Sequence, residues 1–498
     1  MRPGCGLRLG VVTAALLVLV APVAVGLGFT LFASFGHVPG LAGLTSGWPA
    51  LAVLPGLWTS LTVTLFTGIG ATLVSLALAL ALTIAIGPRA GRWIAVPLAM
   101  PHAALAVGLA FLLAPSGWIA RLLAPLMGWD RPPALATLHD NTGWALLLGL
   151  VVKEMPFLLL VALAAASRLP LAESLRTGRA LGHPPISVWL WAILPQLMRM
   201  IRLPVLVVLA YGLSVVDMAI LLGPSNPPTL AVLVTRAFAA PDPAALPMAS
   251  AGAMLVVAIV AGAAAVWRIA GSLIWRALTN LIGSRLHLPL APLVWLGRSV
   301  IGLGLAAAPM LVLWSFAGNW RWPQVWPASL SLQVWSEGQW LAPLGLSALI
   351  GLAVTALSVA LAIAWLEAED RGHLPRAGWP GLLIALPLVL PQIGLMIGMT
   401  MLLSRAGLTG GMFAVIWAQM LFVFPYVMLV LAGPWRGLPP APLKAAASLG
   451  AGPWRRLVAV KLPLLLRPLA VAAGVGFAVS VAQYLPVLFA GAGRVATL

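Results

Sequence analysis

The sequence predicts an all-α integral membrane protein of about eleven transmembrane helices in two parallel pseudo-repeats. Three observations predict it. Of 498 residues, 62% are apolar and 8% are charged, against roughly 25% charged in a soluble domain. The apolar residues run in long continuous stretches rather than alternating, so helices, not barrel strands, must satisfy the backbone in lipid. The order of Thr, Ser, Gly and Pro markers in the first half of the chain also returns in the second.

The helices are expected at 9–34, 57–86, 93–115, 143–166, 201–223, 247–269, 298–316, 343–366, 380–403, 411–432 and 467–490. Most approach the roughly 20 apolar residues that a crossing needs. Internal Gly and Pro do not argue against them, because membrane helices tolerate both. Arg2 and Arg8 precede the first run, which is longer than the roughly 7–15 residues of a signal-peptide core, so a retained helix is expected. Cys5 is the only cysteine and lies ahead of that run, so no internal disulfide can form.

The net charge is +18, from 28 Lys+Arg and 10 Asp+Glu. The basic residues fall in short loops between apolar runs, so no nucleic acid is expected as a partner and the lipid bilayer is. With the N-terminus inside, 21 Lys and Arg lie on the inner side. Only Arg121, Arg131, Arg236, Arg321, Arg405 and Arg494 lie outside, and Lys153 falls within a span. This asymmetry sets the orientation, with the N-terminus cytoplasmic. Trp48, Trp58, Trp93, Trp118, Trp320, Trp322 and Trp340 fall near span ends, as interfacial anchors do.

The repeat is read from ordered matches. Thr72, Ser75, Ala77 and Ala79 correspond to Thr355, Ser358, Ala360 and Ala362 at an offset of 283. Pro97, Pro101 and Gly108 correspond to Pro387, Pro391 and Gly398 at 290. Pro156 and Pro170 correspond to Pro425 and Pro439 at 269. Gly182 and Pro195 correspond to Gly450 and Pro463 at 268, and Ser214 to Ser480 at 266. Both copies cross in the same sense, which makes the repeat parallel, about an axis along the membrane normal. The halves are expected at 1–285, with six helices and an inside loop at 167–200, and at 286–498, with five helices and an inside loop at 433–466. Thr229-Leu230 leads into a sixth helix in the first copy. Its counterpart, Thr497-Leu498, ends the sequence, so the second copy is expected to lack that helix.

The two inside loops carry the most specific pattern. The first reads Arg176-Thr177-Gly178-Arg179-Ala180-Leu181-Gly182, with Leu194-Pro195 following. The second reads Lys444-Ala445-Ala446-Ala447-Ser448-Leu449-Gly450, with Leu462-Pro463 following. Each suggests a short helix ended by a left-handed Gly, a second short piece, and a Pro at the start of the next span. This resembles the EAA loop of the type I permease subunits of ABC importers, whose pattern is Glu-Ala-Ala, three residues, Gly and a spaced Leu-Pro. Ala445, Ala446, Gly450, Leu462 and Pro463 match in the second loop, and Gly182, Leu194 and Pro195 in the first. The pattern's glutamate is replaced by Arg176 and by Lys444.

The resemblance implies a fused two-domain permease whose loops dock two ABC ATPase subunits on the cytoplasmic side. It also implies a periplasmic solute-binding protein as partner, in the bacterial inner membrane. The solutes of such fused permeases are thiamine-like, ferric iron or polyamine-like, and the run Gly223–Leu230 is similar to the thiamine branch. The chain is then a transport subunit and no enzyme. None of Lys153, Lys444 and Lys461 follows a glycine, so no Walker A sequence is present and ATP is hydrolysed elsewhere. No cofactor and no metal site is expected.

Charges within the spans are costly, so they face a pathway or pair with one another. Lys153 and Glu154 fall in the fourth span and Asp217 in the fifth. Glu154 and Asp217 are candidate contacts for a cationic solute, with Gln483 at the Asp217 position of the second half; a structural Lys153–Glu154–Asp217 cluster is the alternative. His102 and Gln392, also equivalent, read as helix-packing polar residues. Glu367, Glu369 and Asp370, beside Arg371, His373 and Arg376, read as a solvated mixed-charge loop. A secondary transporter with two six-helix-type halves is the main competing reading. It needs no matched loop, and it usually needs coupling charges in both halves. A membrane enzyme would need a cluster of reactive side chains, which the sequence does not offer.

Overall fold

The computed structural model describes residues 21–38, 40–86, 95–279, 289–372, 374 and 379–498. Arg2, Cys5, Arg8, Arg89, Arg92, Trp93, Arg285, His373, Arg376 and the start of the first expected span lie outside the described residues.

The described chain is helical, without a strand among the described residues; a single isolated bridge joins Ala317 and Leu330. The helices that matter here are α1 (Ala21–Ser34), α2 (Leu57–Ile86), α3 (His102–Leu113) and α4 (Trp144–Ala166). They continue with α5 (Leu171–Ala180), α6 (Leu194–Ser214), α7 (Asp217–Leu222), α8 (Ala245–Thr279) and α9 (Ala291–Phe316). The chain then forms α10 (Leu341–Asp370), α11 (Gln392–Arg405), α12 (Met412–Arg436), α13 (Pro440–Ser448), α14 (Leu466–Val481) and α15 (Leu485–Gly491).

Every expected span is helical where it is described, but four of the eleven are broken. Ala95–Ala99 and α3 are separated at Pro101, and Trp379–Val389 and α11 at the repeat-equivalent Pro391. Each Pro forces its predecessor out of the helical region, so the break is written into the sequence. The spans expected at 201–223 and 467–490 also divide, into α6 and α7 around Val215-Val216 and into α14 and α15 around Ala482–Tyr484. Eight described helical segments are long and apolar enough to cross a membrane. They become nine if the segment Pro453–Val481, bent by 77°, is one span. The described part of the first span, α1, has 14 residues.

Two compact units form. The central unit comprises Ser34–Gly36 and Gly43–Gly338; the terminal unit is drawn from Met1–Ala33, His37–Ala42 and Gln339–Leu498. In the central unit α2 packs on α4 and α6, α4 on α6, and α3 on α7. The terminal unit repeats these pairings with α10 on α12 and α14, α12 on α14, and α11 on α15. Small residues let the backbones approach, as they do in lipid, where there is no hydrophobic drive to bring helices together. Gly68 of α2 faces the backbone of Gly212 on α6, and the equivalent Gly351 of α10 faces Phe477 of α14.

The units do not follow the two sequence halves. Helix α1, from the first half, belongs to the terminal unit, where Gly26 and Gly398 of α11 are in backbone contact and a Cβ on either would overlap its neighbour. Thr30 Oγ1 donates to the Gly394 carbonyl at 2.7 Å and accepts from the Gly398 amide at 2.9 Å. Helix α9, from the second half, belongs to the central unit. There Gly108 of α3, the repeat equivalent of Gly398, lies against the Ala307 backbone. In the compact units, α1 of the first expected half thus groups with the terminal unit and α9 of the second with the central unit.

Candidate functional site

The two loops that the sequence singled out have one backbone. Helix α5 ends with Gly182 at φ +76° and α13 with Gly450 at φ +80°, the left-handed conformation that glycine adopts most readily. In the first loop the His183 amide donates to the Gly178 carbonyl at 2.9 Å and the Gly182 amide to Arg179 at 3.0 Å. In the second, the Ala451 amide donates to Ala446 at 2.9 Å and the Gly450 amide to Ala447 at 3.0 Å. Both are the paired closing bonds of a Schellman-type stop.

A short helical turn follows each stop, Pro185–Val188 and Pro453–Arg456. Next comes a π-helical turn in each loop, Trp189–Ile193 and Leu457–Lys461. Leu194-Pro195 and Leu462-Pro463 then open the following helices. The π turns correspond at the same 268-residue offset as the glycines. Such turns are rare and concentrate at functional sites, and no sequence signal announced them. Arg176, Thr177, Lys444 and Ala445 are exposed. Gly178 is buried against Val188, with Ala446 at the equivalent position. The leucine before each glycine stands out of the surface, Leu181 67% exposed and Leu449 88% exposed. An apolar side chain held in solvent at equivalent places suggests a surface that meets another protein.

The intramembrane polar groups gather at the helix breaks of the central unit. Lys153 and Glu154, buried on α4, point different ways. The Lys153 ammonium donates to the carbonyls of Pro97 at 3.3 Å, Leu98 at 3.0 Å and Met100. It thus satisfies carbonyls left free where Ala95–Ala99 ends. Glu154 Oε1 lies 3.6 Å from His102 Nε2. The His102 ring lies 4.6 Å, centroid to centroid, from Tyr211, whose hydroxyl donates to Asp217 Oδ1 at 3.2 Å. Glu154 and Asp217 are thus joined through His102 and Tyr211. Lys153 reaches backbone carbonyls, while His102 lies beside Glu154 and Tyr211 bonds to Asp217. Tyr211 was not singled out in the sequence, where nothing distinguishes it from an interfacial aromatic.

The terminal unit holds a neutral counterpart. Ser480 Oγ donates to Gln419 Oε1, and Gln483 Nε2 donates to the Gln419 carbonyl at 3.3 Å, leaving the buried Gln483 Oε1 without a partner. Phe422, Val423, Phe477 and Gln392 stand where the central unit has Lys153, Glu154, Tyr211 and His102.

The tract Glu367, Glu369, Asp370 is no solvated loop. It forms the last turn of α10, with Glu367 and Glu369 buried. Lys461 Nζ, at the end of the second π turn, donates to Glu367 Oε2 and Asp370 Oδ2, both at 2.6 Å. Arg436 donates two bonds to Glu369, at 2.9 and 3.0 Å. Arg371 pairs with Glu367 at 2.9 Å, and the Trp435 indole donates to Asp370 at 3.0 Å. The alternating charges suggested solvent because, apart from Arg371, their cationic partners Arg436 and Lys461 lie 67–94 residues downstream, beyond any local pattern.

No family model matches the chain. The protein is 31% identical to the inner membrane ABC transporter permease protein YnjC of Escherichia coli K12 over 458 residues, 91% of this chain and 83% of that one. The chain belongs to the inner-membrane ABC transporter permeases. A second similarity, 31% over 151 residues, is to the molybdenum transport system permease protein ModB of Azotobacter vinelandii. It covers 28% of this permease and 66% of that relative. The permease is therefore a multi-pass inner-membrane transport component rather than an enzyme, and ATP-hydrolysing and substrate-binding functions fall to other proteins of the system.

Proposed function

We propose that this permease is the fused membrane subunit of a binding-protein-dependent importer and docks two ATPase subunits, one on each of the loops 167–200 and 433–466. The observation that carries this reading is the shared backbone of the two loops. Each has a helix, a left-handed Gly, an exposed Leu just before it and a π turn, at one constant offset. Arg176, Thr177, Gly178, Gly182, Leu194 and Pro195 build the first docking element. Lys444, Ala445, Ala446, Gly450, Leu462 and Pro463 build the second. Arg176 and Lys444 favour an acidic groove on the ATPase. A solute-binding protein delivers the solute from the periplasm, and the N-terminus is cytoplasmic, as the Lys and Arg asymmetry supports.

The solute is a small cation, thiamine-like, ferric iron or polyamine-like. Glu154 and Asp217, with His102 and Tyr211 between them, offer carboxylates and aromatic faces, both of which attract cations. Gln483, at the Asp217 position of the second half, is the candidate pathway residue within the terminal unit. Two measurements test the reading. Native mass spectrometry of the permease co-expressed with its ATPase is expected to show two ATPase copies per chain; one copy or none would refute the docking assignment. Uptake of labelled thiamine, a polyamine and ferric iron into cells is expected to fall with Glu154→Gln or Asp217→Asn for one of the three. Unchanged uptake of a solute that the permease does carry would remove these residues from the pathway.

A further inference from the structure

The two loops share a backbone, yet they are attached to their helix bundles by different chemistry. In the terminal unit the last residue of the π turn is Lys461, 6% exposed, and its ammonium is held by Glu367 and Asp370 of α10. The same ammonium lies 5.2 Å from the Trp435 ring centroid, and Trp435 closes the circuit by donating to Asp370. Glu369 ties Arg436, the last residue of α12, to the same turn of α10. Three elements, the end of α10, the end of α12 and the loop, are thus pinned at one ionic junction.

The central unit has none of these charges. The repeat equivalents of Glu367, Glu369, Trp435 and Lys461 are Ile84, Ile86, Ala166 and Ile193. Ile193, 1% exposed, ends its π turn as Lys461 does, but as an apolar plug. Apolar packing is non-directional and tolerates sliding. A buried ion pair with two carboxylates fixes one register and loses heavily when a single partner is removed.

We propose that Lys461, Glu367 and Asp370 are positioning residues that lock the second loop to α10, so that force delivered to that loop passes directly into the membrane helices. The first loop shows no such ionic junction among the described residues, where buried Ile193 takes the place of Lys461. The force-transmitting role of the lock rests on the reading of the loops as ATPase docking elements. The lock itself can be observed without the ATPase.

The test is limited trypsin digestion of the full-length permease in detergent, scored by fragment mass at Arg455 and Arg456 of the second loop and at Arg176 and Arg179 of the first. Lys461→Met is expected to speed cleavage at Arg455 and Arg456 about ten-fold, with cleavage at Arg176 and Arg179 unchanged. Lys461→Arg is expected to restore protection. The triple variant Lys461→Met, Glu367→Gln, Asp370→Asn leaves no unpaired buried charge at Lys461, so it is expected to fold even if the single variant does not, with the second loop still released. In the assembled complex with its ATPase, the triple variant is expected to keep two bound ATPases and lose most of the ATP hydrolysis that the solute-loaded binding protein stimulates. Equal cleavage rates in wild type and triple variant would overturn the lock, as would release of both loops together. Failure of the wild-type permease to bind any ATPase would overturn the docking reading instead, and would leave the proteolysis result standing.

Discussion

The central and terminal units have the same helix pairings and the same breaks, but their charges are placed in opposite ways. The central unit carries Glu154, His102, Tyr211 and Asp217 at its helix breaks, and apolar Ile84, Ile86 and Ile193 at the sequence positions equivalent to Glu367, Glu369 and Lys461. The terminal unit has Gln419, Ser480 and Gln483 at the breaks and Lys461, Glu367, Glu369 and Asp370 at the junction. Symmetry of the backbone therefore does not carry symmetry of charge. A repeat needs its glycines and prolines in both copies, because both must make the same close contacts and breaks. It needs its charged groups only where a task requires them, because each buried charge carries a desolvation cost.

The largest effect should come from the shared contacts. Gly398→Leu places a side chain into the backbone of Gly26, and Gly108→Leu does the same at Ala307. Overpacking costs about 1–3 kcal/mol or more even where side chains can yield, and here a backbone opposes. Both variants are expected to lose most of their folded yield on size-exclusion chromatography; normal yield of either would break the equivalence of the two exchanged helices.

Next come the unequal positions. Glu154→Gln and Asp217→Asn are expected to lower uptake by about ten-fold or more, since removing one charged hydrogen-bond partner is worth roughly 1.5–3 kcal/mol. Gln483→Leu should lower it by only a few-fold. Equal losses in the two units would erase the distinction between a charged and a neutral half.

Thr30→Val removes both hydrogen bonds that fix α1 on α11 and should cost about 1–3 kcal/mol, read as a lowered thermal midpoint in detergent.

The smallest effect concerns the start of the fourth span. Asp140 accepts from the amides of Trp144 at 2.8 Å and Ala145 at 3.0 Å, capping α4. The equivalent helix α12 starts at Gly411 without a side-chain cap. Asp140→Ala should cost about 1 kcal/mol. Partial burial opposes the Asp140 charge, but the bonds from Thr142, Ala145, Trp144 and Gly143 outweigh it and hold its pKa below the ordinary carboxylate value. A depressed pKa contributes stability above the unfolded value, near 3.9, and that contribution disappears as pH falls through the lower folded value. The wild-type advantage over Asp140→Ala should therefore be full at pH 7 and shrink in more acidic buffer. An advantage that grows with acid would exclude the cap as its source.

Most of the fold was legible in the sequence because lipid imposes local rules. Long apolar runs and prolines at matched offsets are read along the chain, and the loops 167–200 and 433–466 announced themselves through Gly182 and Gly450. What escaped depends on contacts between distant segments. The exchange of α1 and α9 turns on Gly26 meeting Gly398 and Gly108 meeting Ala307, and no local pattern distinguishes these glycines from any other in a membrane helix. The burial of Glu367 and Glu369 depends on Lys461 and Arg436, far along the chain. Glu154 and Asp217 could be named because charge in a span is conspicuous, whereas Tyr211 beside Asp217 and His102 beside Glu154 required the breaks to be placed. Pro101 and Pro391 were visible as a matched pair, but were absorbed into continuous spans because membrane helices usually accommodate proline.

The most direct measurement is co-purification of the ATPase with the permease carrying Leu181→Asp, Leu449→Asp or both. These side chains are exposed, so the permease itself should fold and purify normally. The expected result is one ATPase lost with each single variant and no complex with the pair. A double variant that still holds two ATPases would contradict the assignment of these loops as the docking elements.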